Sequence, residues 1–317
     1  MESKCLAVLC VIFAVSAVHH ATGAENVTIG TVTNKPWSYT EDGKQTGLAV
    51  DILMKIFEYQ GTKDKFTPQL TEDADGVIGR KENGAWTAGL IKDLIAQKDG
   101  MQMGAAGVMI TDDLEAETKL MWSMPYLTYN VSMLMEKDKD VKSIMDGHTN
   151  NMTFVVVKDG PIHVMFTKCE TLLTDATEKT SCKAINDKFT ADATLLVKDA
   201  AAALKAVKEK DSDMVFLTDG ATAKYHARLN CELKVVDGGM FPKGACKYAF
   251  PINKDAATAQ VELKPAIDAT IKLFTGKGKD DIKTIETTYL SPSTCGSSGL
   301  SFTLAALLLS VFVSKLL

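Results

Sequence analysis

The chain has 317 residues, 46% hydrophobic and 24% charged, with a formal net charge of −5. This is ordinary globular composition, enough for one large or two small cores. A mildly acidic chain whose arginines are Arg80 and Arg228 lacks the basic surface that nucleic-acid binding needs.

Met1–Lys4 carries one lysine, Cys5–Val18 is almost wholly apolar, and Ala21, Thr22, Gly23 and Ala24 offer small residues for cleavage. That three-part pattern predicts a secretory signal peptide over residues 1–24. The alternative, a transmembrane helix, falls short of the roughly 20 apolar residues a span requires. Three sequons follow, at Asn26, Asn130 and Asn151, as expected of a secreted glycoprotein.

The region after the leader alternates strand and helix patterns. Val27–Val32 is β-branched and reads as a strand. Gly47–Tyr59 sets Leu48, Ile52, Leu53, Ile56 and Phe57 on one helical face, stopped by Gly61. Lys65–Leu70 is a second strand, and Ala85–Lys98 places Trp86, Leu90, Ile91, Leu94 and Ile95 on one helical stripe. Met101–Met109, apolar and rich in Gly and Ala, suits a buried strand. Tyr129–Glu136 is a strand, and Phe154–Val157 opens a second α/β series. That series runs through a helix at Ala200–Val207, a strand at Met214–Leu217 and a helix at Thr218–Leu229 with Thr218 as N-cap. Strands at Leu233–Val236 and Cys246–Ile252 precede closing helices near Thr258–Phe274 and Lys279–Tyr289. A βαβαβ order implies a sheet covered by helices. Two such series predict two lobes with a ligand cleft between them.

The chain closes on small and polar residues from Ser291 to Gly299 and an apolar tail, Leu300–Leu317. Spacer plus tail matches a glycosylphosphatidylinositol (GPI) anchor signal over 291–317. The alternative is a stop-transfer helix, which usually carries a basic cluster beyond it; Lys315 stands alone there. Outside the leader lie Cys169, Cys182, Cys231, Cys246 and Cys295. Anchor cleavage before Cys295 leaves four, and short spacing pairs Cys169 with Cys182 and Cys231 with Cys246, although four cysteines allow three pairings.

The order of motifs is informative. Thr46–Ile52 (TGLAVDI), Asp75–Arg80 (DGVIGR), Trp86–Leu90 (WTAGL), Ile110 with Thr111, and Trp122–Tyr126 (WSMPY) together resemble the type II periplasmic solute-binding class. Within that class the pattern is similar to the ligand-binding domain of ionotropic glutamate receptors. The resemblance spans Val27 to about Tyr289. It implies an α/β, two-lobed, periplasmic-binding-protein-like II clamshell, each lobe a helix-covered mixed sheet. Residues 25–130 plus 241–290 form lobe 1, and 131–240 form lobe 2. Receptors of this kind insert their pore where this chain has only the hydrophilic stretch Glu136–Met152, so the resemblance implies a binding unit without a channel. If cleavage instead falls after Cys295, it implies a Cys231–Cys295 bridge, with Cys246 outside the bridges.

The resemblance also implies a site, and this chain departs from it. The family clamps an α-carboxylate with a bidentate arginine; Leu114 occupies that position, amid Asp112, Asp113, Glu115 and Glu117. The family's proline and threonine fall on Gly107 and Met109. Its Ser/Thr pair at a lobe 2 helix start falls on Pro161 and Ile162 after Gly160, where backbone N–H groups remain to meet an anion. The acid that grips the ligand amine aligns with Asp219. Asp219, Asp112 and Asp113, with Trp37, Tyr39 and Tyr126 as aromatic walls, point to an amine or cationic solute. The alternative for Asp112 and Asp113 is a solvated first helical turn.

Other motifs are set aside. Thr71–Glu82 matches a calcium loop at four positions but begins with Thr71 where Asp is normal. His148, His163 and His226 lack metal-ligand spacing, and no nucleophile elbow, Walker loop or dinucleotide fingerprint occurs. The expectations are no metal, no cofactor and no catalysis. The function expected is binding of a small solute, amino-acid-like or cationic, on the outer face of the plasma membrane through a lipid anchor. A surface protein partner is the further possibility, because the alternative is a ligand-free fold used for recognition or adhesion.

Overall fold

A computed structural model describes residues 24–73, 76–82, 84–209, 213–256, 262–276 and 279–291. The expected signal peptide (1–24, apart from Ala24) and anchor signal (291–317, apart from Ser291) lie outside these residues. The described chain divides into two compact units. Unit 1 holds residues 24–128 and 246–289; unit 2 holds 129–245 with 290 and 291.

Unit 1 is built on a five-stranded mixed sheet. Its spatial order is Phe66–Glu72, Glu25–Thr31, Met101–Gly104, Pro251–Asn253, Leu120–Trp122. Glu25–Thr31 runs parallel to both neighbours, while Pro251–Asn253 is antiparallel to both of its own. The helix Leu48–Glu58 covers it because Leu48, Ile52, Leu53 and Ile56 fall on one face and are fully buried, the predicted stripe. Its first N–H groups find partners outside the helix: Leu48 N–H donates to Pro36 O and Ala49 N–H to Trp37 O. Gly61 does not stop the chain turning; it lies inside a further short helix, Gln60–Lys63.

The helix expected from Ala85 is shorter. Ala85–Ala88 is a strand paired with Arg80–Glu82, and the helix runs only Leu90–Ile95. Gly89, at φ 86°, separates the two, a backbone angle costly for any residue with a Cβ.

The C-terminal helix Lys279–Leu290 is tied to unit 1 through Tyr289. Its hydroxyl donates to Asp51 Oδ2 at 2.5 Å, lies 2.8 Å from Thr46 Oγ1, and accepts from Gly47 N–H. Burial, then the Asp51 carboxylate, pushes the phenol well above its ordinary range. Tyr289→Phe is expected to lower unfolding free energy by about 1–2 kcal/mol, read from the urea midpoint at constant slope.

Unit 2 carries a second five-stranded mixed sheet, ordered Leu196–Val197, Thr153–Val157, Met214–Asp219, Val131–Glu136, Leu233–Asp237. Thr153–Val157 is parallel to Met214–Asp219, and Val131–Glu136 is antiparallel to its neighbours. Its longest helix, Ala176–Ala191, went unseen in the sequence. It buries only Ser181, Cys182, Ile185 and Phe189, too thin a stripe to register as periodic. Asp175 caps it, accepting from Thr177 and Glu178 N–H.

Cys169 and Cys182 form the expected disulfide, Cα atoms 5.9 Å apart. The expected Cys231–Cys246 bridge is absent. Cys231 is disulfide-bonded elsewhere, and Cys246 is a buried thiol that opens a strand of unit 1.

Candidate functional site

The positions implicated in ligand binding are taken unit by unit. In unit 1, Leu114 is 7% exposed and packs in a core cluster with Leu90, Ile91, Val108 and Leu120. An apolar side chain in that setting cannot do an arginine's work, and an arginine there would bury an uncompensated charge. Met109 is buried and bridges Tyr248.

Gly107 sits at φ 66° directly against the Trp37 ring; a Cβ there would lie 2.1 Å from Trp37 Cγ. Trp37 is 2% exposed and stacks on Tyr248, ring centroids 3.8 Å apart. All three positions where the resemblance implies carboxylate and amine contacts are thus occupied by this unit's own packing.

The expected aromatic walls fare differently from one another. Trp37 and Tyr126 are interior residues. Tyr126 stacks on Phe250 at 4.2 Å, and its hydroxyl is buried without a hydrogen-bond partner. That burial drives its pKa upward. Tyr39 is half-buried at the start of a short strand, with Lys35 Nζ 4.7 Å from its ring centroid, so one ring face already carries a cation.

Asp112 and Asp113 are exposed in the first turn of the helix Asp112–Glu115. This is where carboxylates offset the helix dipole.

In unit 2, Asp219 is 6% exposed and ends the strand Met214–Asp219. Its Oδ1 accepts from Ala221 N–H at 2.9 Å and Thr222 N–H at 3.0 Å, capping the helix Gly220–Leu229. The cap is therefore Asp219, not Thr218: the carboxylate reaches two orphan donors where Thr218 lies within the strand. Gly160 is the N-cap of the helix Pro161–Thr167, without a side-chain cap. His163, in that first turn, accepts Asp159 N–H on Nδ1 at 3.1 Å, which spends the nitrogen locally. Burial lowers its pKa, with Asp159 opposing.

Hollows of about 310 Å³ in unit 2, floored by Phe154, Ile185 and Phe189, and about 350 Å³ in unit 1, between Tyr59 and Leu273, contain none of these residues. No group of metal-ligating side chains occurs among the described residues.

His226, on the Gly220–Leu229 helix, has Nε2 buried without a hydrogen-bond partner, and burial lowers its pKa to about 4. The native state then holds it neutral while the unfolded chain takes a proton near pH 6.5. Its contribution is complete above pH 6.5 and is lost as pH falls towards 4. Allowing for partial exposure, the loss is about 1–2 kcal/mol. His226→Gln is expected to flatten that part of the stability–pH profile, measured by urea unfolding at pH 7 and pH 4.5.

With this geometry in hand, comparison with solved structures gives a clear match. The chain aligns with the structure described as "Drosophila muscle GluRIIB complex with glutamate" at TM-score 0.68 and 19% identity. The match covers 84% of this chain and 99% of that one. The fold is that of an ionotropic glutamate receptor ligand-binding domain, with the two mixed sheets in the units described above. No family model matches the chain, and no curated protein does.

Proposed function

We propose that this chain is an extracellular, lipid-anchored solute-binding unit without a channel and without catalysis, taking an amine, cationic or amino-acid-like solute. The observation that carries the reading is the fold: nearly the whole of a glutamate-bound receptor domain has its counterpart here. The absence of a channel is supported by residues 137–152, where the resemblance places a pore. They hold one short helix, Ile144–Thr149, between two strands of the same sheet family. The loss of the arginine clamp, with Leu114 in the core, argues against recognition of a free α-carboxylate. On this reading the exposed acids Asp112 and Asp113 and the half-buried Tyr39 would face the cation.

The anchor is tested by phospholipase release of the protein from cells; protein retained on the membrane indicates a spanning helix.

The solute is tested by thermal shift on the secreted chain against amino acids, quaternary and primary amines, and short peptides. A ligand at 100 times its Kd is expected to stabilise by about 2.7 kcal/mol. No shift across the panel favours a second reading, a ligand-free fold serving recognition or adhesion. The specific observation behind that reading is Trp37 seated on Gly107.

A further inference from the structure

The three sequons lie in three different physical settings. Asn26 is exposed in the first turn of pleat of the strand Glu25–Thr31. Asn151 is exposed at φ 57°, in the turn between a helix and the strand Thr153–Val157; asparagine is among the few residues that tolerate that angle. Neither side-chain amide makes a hydrogen bond within the described residues. Asn130 is half-buried, with a partner on each side-chain heteroatom. Its Nδ2 donates to Asp237 Oδ2 at 2.6 Å, its Oδ1 accepts Gly244 N–H at 2.8 Å, and its backbone carbonyl accepts Gly220 N–H at 3.0 Å. Asp237 in turn accepts Gly239 N–H on its other oxygen. One asparagine thus pins both ends of the segment Asp237–Gly244.

A glycan is bulky and must project into solvent. Its attachment joins asparagine Nδ2 to the anomeric carbon of an oligosaccharide carried on a lipid pyrophosphate. The N–C bond forms as the C–O bond to the donor phosphate breaks. The pyrophosphate leaves with the electron pair, and one amide proton is lost. At Asn26 and Asn151 the product points outwards and costs no native contact. At Asn130 the sugar would have to be placed beside Asp237 Oδ2 and the Gly244 N–H, 2.6 and 2.8 Å from the amide atoms. A chain modified there keeps a single Nδ2 hydrogen, so the sugar competes for position with the charge-assisted bond to Asp237.

We propose that the chain carries N-linked glycans at Asn26 and Asn151 and none at Asn130, whose amide instead clasps the Asp237–Gly244 segment to the strand Val131–Glu136. This rests on the extracellular reading above, which brings the chain to the glycosylation machinery.

The test uses the full chain secreted from eukaryotic cells. Enzymatic deglycosylation in heavy-oxygen water converts each occupied asparagine to labelled aspartate, read site by site by mass spectrometry. The expected result is label at 26 and 151 and none at 130. Alongside it, Asn130→Ala is expected to lower Tm by about 4–8 °C. Ser132→Ala, which abolishes the same sequon but keeps the clasp, is expected to shift Tm by less than about 2 °C. If Asn130→Ala is not secreted at all while Ser132→Ala is, the clasp is equally supported. Label at 130 on secreted protein, no label at 26 and 151 on secreted protein, or an Asn130→Ala variant as stable as the parent each overturns the proposal. A chain that stays in the cytosol without sugar overturns it together with the extracellular reading, so the two failures are told apart.

Discussion

Replacing Gly107 with alanine is expected to lower the unfolding free energy by about 3–5 kcal/mol, among the largest single effects in the described chain. Two costs add. At φ 66° any residue with a Cβ is strained by about 1–2 kcal/mol. The new methyl carbon would also lie within 2.5 Å of three Trp37 atoms, and a ring held at 2% exposure by Tyr248 has little room to retreat. Overpacking of that kind costs a further 1–3 kcal/mol or so. Urea unfolding of the secreted chain measures it. Trp37→Leu in the Gly107→Ala background is expected to be less destabilising than the sum of the two single changes, because each single substitution disturbs the same contact. Additivity would show that Trp37 does not sit on Gly107. The pair also separates the two functional readings. If Trp37 occupies a vestigial site, loosening it leaves the solute panel silent. A Trp37→Ala variant that gains a ligand would identify the ring as a plug over a working one.

Opening the Cys169–Cys182 disulfide is the second large expected effect. Cys182→Ser should cost about 2–4 kcal/mol, since the bridge closes a loop with a sequence separation of 13 and so restricts the unfolded chain. The helix it anchors, Ala176–Ala191, buries few apolar side chains. It therefore depends more on the cross-link than the Leu48–Glu58 helix does on any one contact. Amide hydrogen exchange is expected to quicken first along Ala176–Ala191 on reduction, while unit 1 keeps its protection. Uniform loss of protection across both units would count against a local role.

What sequence could reveal follows from where periodicity is strong. Leu48, Ile52, Leu53 and Ile56 form a stripe dense enough to specify the helix and its buried face. Val27–Val32 likewise declared a strand by β-branching. The order of the motifs from Thr46 to Tyr126 pointed to the receptor-domain fold that the structural match bears out. Trp86 shows the limit. It fits a helical stripe with Leu90 on paper, yet it sits on a hairpin strand because Gly89 turns the backbone before the helix begins. The Ala176–Ala191 helix shows another: its stability comes from a cap and a cross-link rather than from an apolar face.

Of the candidate site, sequence supplied that Leu114 stands where the resemblance implies an arginine clamp, a statement about residue identity that needs no coordinates. It did not supply what each remaining side chain does. Asp219 reads as a ligand acid, and sequence gives no sign that its Oδ1 also caps the next helix through Ala221 and Thr222 N–H. Trp37 and Tyr126 read as walls until both are found closed inside unit 1. Asn130 reads as a sugar acceptor, and sequence gives no sign that its amide holds Asp237 and Gly244, more than a hundred positions away.

The sequence by itself determined, through the order of its motifs, the class of fold and the residue standing where the resemblance implies an arginine, because each rests on local pattern or residue identity; it suggested the Cys169–Cys182 pair, which the structure bears out. Only the tertiary structure decided that Cys231 and Cys246 part company between two units, that Gly107 exists to seat Trp37, and which polar side chains are already committed. Those are facts of long-range contact. A carboxylate or an amide has few hydrogen bonds to give, and distant backbone groups brought close by the two sheets claim them first.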